Sequence, residues 1–276
     1  FDSFYIMSGI SPPTGFRWNT NDLAISMIIS LPFFLSSKKI YVKIFGIIFL
    51  SAIIVMTASR AAFISMIFIY FLYLFFIKKR ILTIFLIWTF SVALVLGISQ
   101  FKESSNPRLN EIANSLNALT LFINGDIDIG GSIEWRRELI KNGLEAFSNT
   151  NGLGLGSGGA VANQEIIGPV DGRFTSMHNF WVELLVEGGV LTAIILFIWY
   201  VSVVYNLYKS SKKTNSESLK YYSQSLFLSM ASFIPAAVAA SSTVYFFPMW
   251  IMFGLSVSVI HLSKGLILQS KSLNSA

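Results

Sequence analysis

The sequence predicts an all-α polytopic membrane protein of about seven transmembrane helices, carrying one long extracytoplasmic helical loop. Three observations predict this. Hydrophobic residues make up 54% of the 276 residues and charged residues only 12%, a balance too apolar for a soluble domain of this length. Apolar runs long enough to cross a bilayer lie on both sides of a single polar stretch, Gln100 to Phe180. The basic residues also sort between alternate connections: Lys38, Lys39, Lys43, Lys78, Lys79, Arg80, Lys209, Lys212, Lys213, Lys220, Lys264 and Lys271 fall on one side with Glu217 as the sole acid, which makes that side cytoplasmic. The pI near 9.4 therefore reports topology, and no nucleic-acid partner is expected. The absence of cysteine removes disulfides, thiol catalysis and cysteine metal sites together.

Taken in order, Phe1 to Asn21 is a turn-rich lead, broken by Pro12, Pro13, Gly15, Asn19 and Asn21. Leu23 to Leu35 is the first span, short and with Pro32 near its end. It sits at the lower limit set by a rise of about 1.5 Å per residue against about 30 Å of hydrocarbon. Ile40 to Met56, Ala62 to Ile77 and Ile81 to Ile98 are spans two to four; Leu184 to Tyr208, Tyr222 to Ala240 and Val244 to Leu262 are spans five to seven. The chain thus divides into a lead with four spans (1–98), an outer loop (99–182), and three spans with a cytoplasmic tail (183–276). It opens on Phe1 without a signal-peptide pattern and reads as the C-terminal portion of a longer protein.

Within the outer loop, Leu109, Ile112, Leu116, Leu119 and Ile123 recur at helical spacing and predict an amphipathic helix along the membrane surface. Ile133 to Phe147 is a second helix. Glu134, Glu138, Lys141 and Glu145 share one face, and Trp135, Leu139, Ile140, Leu144 and Phe147 cover the opposite arc. Arg136 falls in the middle of that apolar arc and Arg137 at its border. Gly152 to Gly159 reads as a flexible hinge and Gly168 to Thr175 as a loop. A third helix begins near His178 and is expected to run without a break into span five.

The chemistry-bearing residues lie on the outer side. A guanidinium on an apolar arc calls for an anion, and Arg136 suits phosphate or diphosphate through its bidentate fork; the ordinary alternative is a salt bridge or snorkelling. Arg60 stands at a membrane boundary between two apolar runs, where an ionisable group is a functional candidate and otherwise a headgroup anchor. His178 has a side chain able to take a proton near neutral pH. Asn179, Glu183 and Glu187 follow it at helical spacing and can orient it, or serve only as residues favoured at a helix start. Arg17, Arg137 and Arg173 share the outer face, and with Asn179 and Glu187 they are candidate substrate-binding residues. Asp126-Ile127-Asp128 has a D-x-D form, but two aspartates among glycines are ordinarily solvated turn residues, and no metal site is expected. The glycine run lacks the Lys-Ser/Thr of a P-loop.

These residues carry a resemblance. Pro13-Thr14-Gly15-Phe16-Arg17-Trp18-Asn19-Thr20-Asn21-Asp22-Leu23-Ala24 resembles the G-x-x-x-N-x-N-x-x-A entry to a span in the O-antigen ligase and polymerase superfamily. Ser59-Arg60 resembles its Ser-Arg pair at the outer end of a later span. Arg136, ahead of Gly154-Leu155-Gly156, resembles an arginine-led helix before a glycine turn, and His178-Asn179 with Glu187-Gly188 resembles its His-Asn helix opening. Asn151 stands where the family carries proline. Either Arg136 or Arg137 matches the family arginine, and spacing and apolar-arc position favour Arg136.

The resemblance implies a GT-C-like membrane fold in the bacterial cytoplasmic membrane, with its active face outside. It implies metal-independent, cofactor-free transfer of a glycan from a polyprenyl diphosphate to an acceptor hydroxyl on a glycan or lipid anchor. Arg60 and Arg136 would hold the diphosphate, and His178 would prepare the hydroxyl. A repeat-unit polymerase is the first reading and a ligase the second, with chain-length regulator and flippase proteins as expected partners. A transporter would place polar groups near the midplane and show repeats, neither of which is visible here. A non-catalytic assembly partner is the remaining class.

Overall fold

The computed structural model describes residues 19–57, 59–77, 132–170, 172, 174–240 and 246–275. Span four, the 109–123 amphipathic helix, Asp126, Asp128, Arg17 and Arg173 lie outside the described residues.

Eight helices follow one another among the described residues: α1 (Thr20–Leu35), α2 (Ile40–Met56), α3 (Arg60–Leu72, continued by a π turn Tyr73–Ile77), α4 (Ser132–Ser148), α5 (Gly159–Ile167), α6 (Phe180–Lys213), α7 (Glu217–Ala236, closed by a 3-10 turn Ala237–Ala239) and α8 (Phe247–Ser275). The fold is all-helical there apart from one isolated bridge, Val170 to Phe174. The outer-loop helix and the helical bounds of span two agree with expectation. α1 starts earlier than expected, because Asn19 caps it and accepts the Asn21 amide at 2.8 Å, drawing Thr20 and Asn21 out of the lead and into the helix.

Among the described residues, three helices are long and apolar enough to cross a membrane: Arg60–Ile77, α6, and α8 over Phe247–Leu266; α1 and α2 are shorter apolar helices. α7, expected as span six, does not join that group. Its serines and Lys220 dilute its hydropathy, and its position explains why that is tolerated. It packs against α1, α3, α6 and α8 at once, so its neighbours are protein. Ser223, Ser225, Ser229 and Ser232 are fully buried on it, and such small side chains let helix backbones approach closely. Ser229 Oγ donates across to Ile29 O of α1 at 2.6 Å.

The lysine-bearing connections meet at one end of this bundle. Lys38 pairs with Glu217, Lys43 Nζ donates to Tyr73 OH at 3.2 Å, and Lys212 Nζ donates to Phe76 O at 2.6 Å. These contacts join the C-terminal ends of α1, α3 and α6 to the starts of α2 and α7. The N-termini of α1, α3 and α6 consequently share the opposite end.

α4 and α5 sit on the first half of α6 through a small second core of Leu139, Ala160, Val170, Met177 and Val186. Asn142 Nδ2 donates to Gln164 Oε1 at 3.1 Å to tie the two helices together. α5 was not expected from the sequence, since nine residues between two glycine turns carry little periodicity.

α6 corrects a further expectation, because the helix from Phe180 is broken at Gly189, whose backbone is non-helical at φ 80° and ψ 171°. Only glycine adopts such a conformation readily. The groups the break exposes are taken up by the glycine turn: Leu155 N and Gly156 N donate to Val186 O and Glu187 O at 2.9 and 3.0 Å, and Val190 N donates to Gly152 O at 3.0 Å. The turn expected to be a flexible hinge is therefore bonded into the gap. A Cβ on Gly154 would lie 2.5 Å from both Glu187 O and Gly189 N, so the two backbones approach only because both positions are glycine.

Candidate functional site

The site forms where the N-termini of α1, α3 and α6 come together beneath α4. Arg60 is the first residue of α3 and is half-buried. Arg136 is half-buried while its neighbour Arg137 is exposed, as adjacent positions turned about 100° around a helix require. Glu134, Glu138, Lys141 and Glu145 occupy the exposed face, and Lys141 pairs with Glu145 at 3.7 Å. Among the described residues, no carboxylate pairs with Arg136. Burial first, and then the charge of Arg60, push the Arg136 guanidinium below its ordinary value.

His178 precedes the α6 N-cap in a left-handed conformation, φ 49°. A non-glycine residue there is strained by about 1–3 kcal/mol and persists only when its surroundings dictate it. Two contacts do so: the His178 amide donates to Ser176 Oγ at 3.3 Å, and Met177 packs over Gly143 of α4, where a Cβ would lie 2.6 Å from the Met177 sulfur. The ring nitrogen Nδ1 is buried without a hydrogen-bond partner. The imidazole is pushed down to about 4, chiefly by burial, then by Arg136, against an opposing pull from Asp22. At neutral pH the ring is uncharged.

Asp22 belongs to this cluster although the sequence reading passed over it. It sits in the first turn of α1, 3% exposed, where an acid is ordinarily solvated. The available signal was an acid opening an otherwise apolar helix. Asn179 and Glu187 have structural bonds: Asn179 Oδ1 caps α6 by accepting Val182 N at 3.3 Å, and Glu187 Oε1 accepts Ala160 N at 3.4 Å at the start of α5. Glu183 is buried within α6. Arg136 is thus brought near both Arg60 and His178, Arg137 faces outward, Asn179 adjoins His178, and Glu187 sits further along α6 at the start of α5.

Immediately beside the His178 end of α6 opens a cavity of about 890 Å³ between α6 and α8, lined by Trp181, Trp199, Tyr200, Trp250 and Phe253 among others, with Ser157 and Glu187 also on its wall. Trp181 is fixed there by donating Nε1–H to Ile234 O at 3.0 Å. A pair of arginines, a neutral imidazole and an adjoining apolar cavity can bind an amphiphile with an anionic head, stabilise negative charge on that head and receive a proton.

Residues 45–197, more than half of the chain, match the model of a family described as O-antigen ligase. The match spans Arg60, Arg136, His178 and Glu187. No curated protein matches the chain.

Proposed function

The chain belongs to the O-antigen ligase family, and on that premise we propose that it is a glycosyltransferase acting at the outer face of the bacterial cytoplasmic membrane, moving a glycan from a polyprenyl diphosphate to an acceptor hydroxyl. The observation that carries this reading is that Arg136 of α4 lies close enough to feel the charge of Arg60 at the start of α3 and to act on His178 ahead of α6, three separate parts of the chain. In the proposed reaction the acceptor oxygen bonds to the anomeric carbon while the bond from that carbon to the diphosphate breaks. The diphosphate leaves with the electron pair, and Arg60 and Arg136 stabilise the charge it gains. His178 takes the proton from the acceptor hydroxyl, and the arriving diphosphate strengthens it as a base by offsetting the arginine charge. Arg17, Arg137 and Arg173 would guide the anionic donor. The aromatic-lined cavity suits its isoprenoid tail, and spans and loop would divide as 1–98, 99–182 and 183–276.

The substitutions Arg60→Gln, Arg136→Gln and His178→Gln, introduced separately into the full-length protein, test this. Each should abolish glycan transfer at normal protein level, and persistence of transfer in all three overturns the enzyme reading. Joining of repeat units on the carrier is the first form of the activity. The family's description as ligases favours a second, transfer of finished glycan to a lipid anchor. In a deletion strain, single capped repeat units would support polymerisation, and long carrier-linked chains would support ligation.

A further inference from the structure

Ser59 occupies the N-cap of α3 and makes no use of it. Its backbone has the extended geometry of a capping residue (φ −79°, ψ 107°), and its carbonyl accepts the Phe63 amide at 3.0 Å, yet its side chain makes no capping bond. Asn19, Asn179 and Ser216 all close their helices with side-chain oxygens. Nor is the Ser59 hydroxyl turned to water: the residue is 7% exposed, and Oγ is buried without a partner. The neighbouring Thr57 hydroxyl is committed elsewhere, donating to Ile54 O at 2.6 Å.

A buried hydroxyl ordinarily finds a partner. Three features surround this one. Arg60 follows it directly, and Arg136 lies close enough to feel the Arg60 charge. The Ala61 and Ala62 amides of the first turn have no acceptor within the helix and carry its positive end.

We propose that Ser59 Oγ and the first-turn amides of α3 form a neutral donor set that binds the diphosphate oxygens beside Arg60 and Arg136. This inference rests on the function proposed above and adds a residue to it. Ser59 donates its hydroxyl hydrogen to a phosphoryl oxygen, an amide at the helix end donates to the same group, and the arginines carry the charge.

Inorganic pyrophosphate is the probe, titrated against the full-length protein in lipid nanodiscs. Ser59→Ala and Ser59→Gly remove the hydroxyl, Ser59→Thr retains it, and Arg60→Gln and Arg136→Gln are the references. Glycine keeps N-cap geometry at little cost, so the comparison survives should the alanine variant fold poorly. A hydrogen bond to a charged group is worth about tenfold to a hundredfold in affinity, and Ser59→Ala and Ser59→Gly should weaken pyrophosphate binding by about that factor while Ser59→Thr stays within about threefold of the parent. Should both hydroxyl-lacking variants bind like the parent while the arginine variants lose binding, the Ser59 inference falls and the proposed function stands. Should the arginine variants also bind like the parent, the diphosphate reading falls, and this inference with it.

Discussion

Burial and the Arg136 charge push the His178 imidazole down to about 4, and neutralising Arg136 is the perturbation that tests why. The displacement from 6.5 to about 4 corresponds to about 3 kcal/mol of preference for the uncharged ring. Burial is the larger cause and Arg136 the next, so Arg136→Met should raise the midpoint. Asp22→Asn should lower it, because the carboxylate favours the imidazolium. His178 and His261 are the two histidines of the chain, so an NMR titration of the ring resonances with His261→Gln leaves one signal to follow. Stability must follow the same sign. The unfolded ring takes up its proton before the folded one, so the stability associated with the neutral ring is complete above about pH 6.5 and is lost as pH falls toward about 4. Catalysis adds a contrast: bound diphosphate offsets the arginines, so the acid limb of kcat should lie above that of kcat/KM, which reports the free enzyme. A parent midpoint at or above 6.5, or one that Arg136→Met leaves in place, refutes the electrostatic account.

Arg136 and Arg137 should separate cleanly, Arg136→Gln costing at least about a hundredfold in transfer rate, in line with removal of a charge-stabilising group, and Arg137→Gln at least tenfold less, measured on lipid-linked substrate at matched protein level. Gly154→Ala brings a methyl to 2.5 Å from Glu187 O and Gly189 N at φ +89° and should destabilise the protein by about 3 kcal/mol, from backbone strain and weakened hydrogen bonds. Hydrogen exchange at the Leu155, Gly156 and Val190 amides should rise with it, and unchanged protection would count against the docked turn. Gly143→Ala places a methyl 2.6 Å from the Met177 sulfur, which should displace the segment carrying His178, lowering transfer activity more than the melting temperature.

How much of this was legible in the sequence depends on the range over which each signal acts. The α4 wheel separated Arg136 from Arg137 because helical periodicity is local, and the structure has the first half-buried and the second exposed. The lysine partition correctly grouped Lys38, Lys43 and Lys212 at one end, because topology is written in the loops themselves. The break at Gly189 was not legible. Glu187-Gly188-Gly189 continues an apolar helix in sequence, and the break exists only because a turn more than thirty positions earlier donates and accepts the missing bonds. Span six is helical over most of its expected range, but that its serines are buried against four neighbouring helices is a tertiary fact that apolarity alone does not carry.

The same reasoning explains why the site's helpers were harder to see than its principals. Arg60, Arg136 and His178 announce themselves because charge and imidazole are costly beside a membrane. Asp22 and Ser59 look unremarkable until burial is known. An aspartate in a first turn is ordinary when solvated, and a serine before a helix is ordinary when it caps; here the aspartate is 3% exposed and the serine 7% exposed without a capping bond. Each has given up the interaction that would explain it locally. Both belong to helices whose N-termini share the end of the bundle occupied by His178, with α4 above. Their burial is accounted for by that common end, where three helix starts and two guanidiniums build a positive potential that the buried first-turn acids Asp22 and Glu183 partly offset.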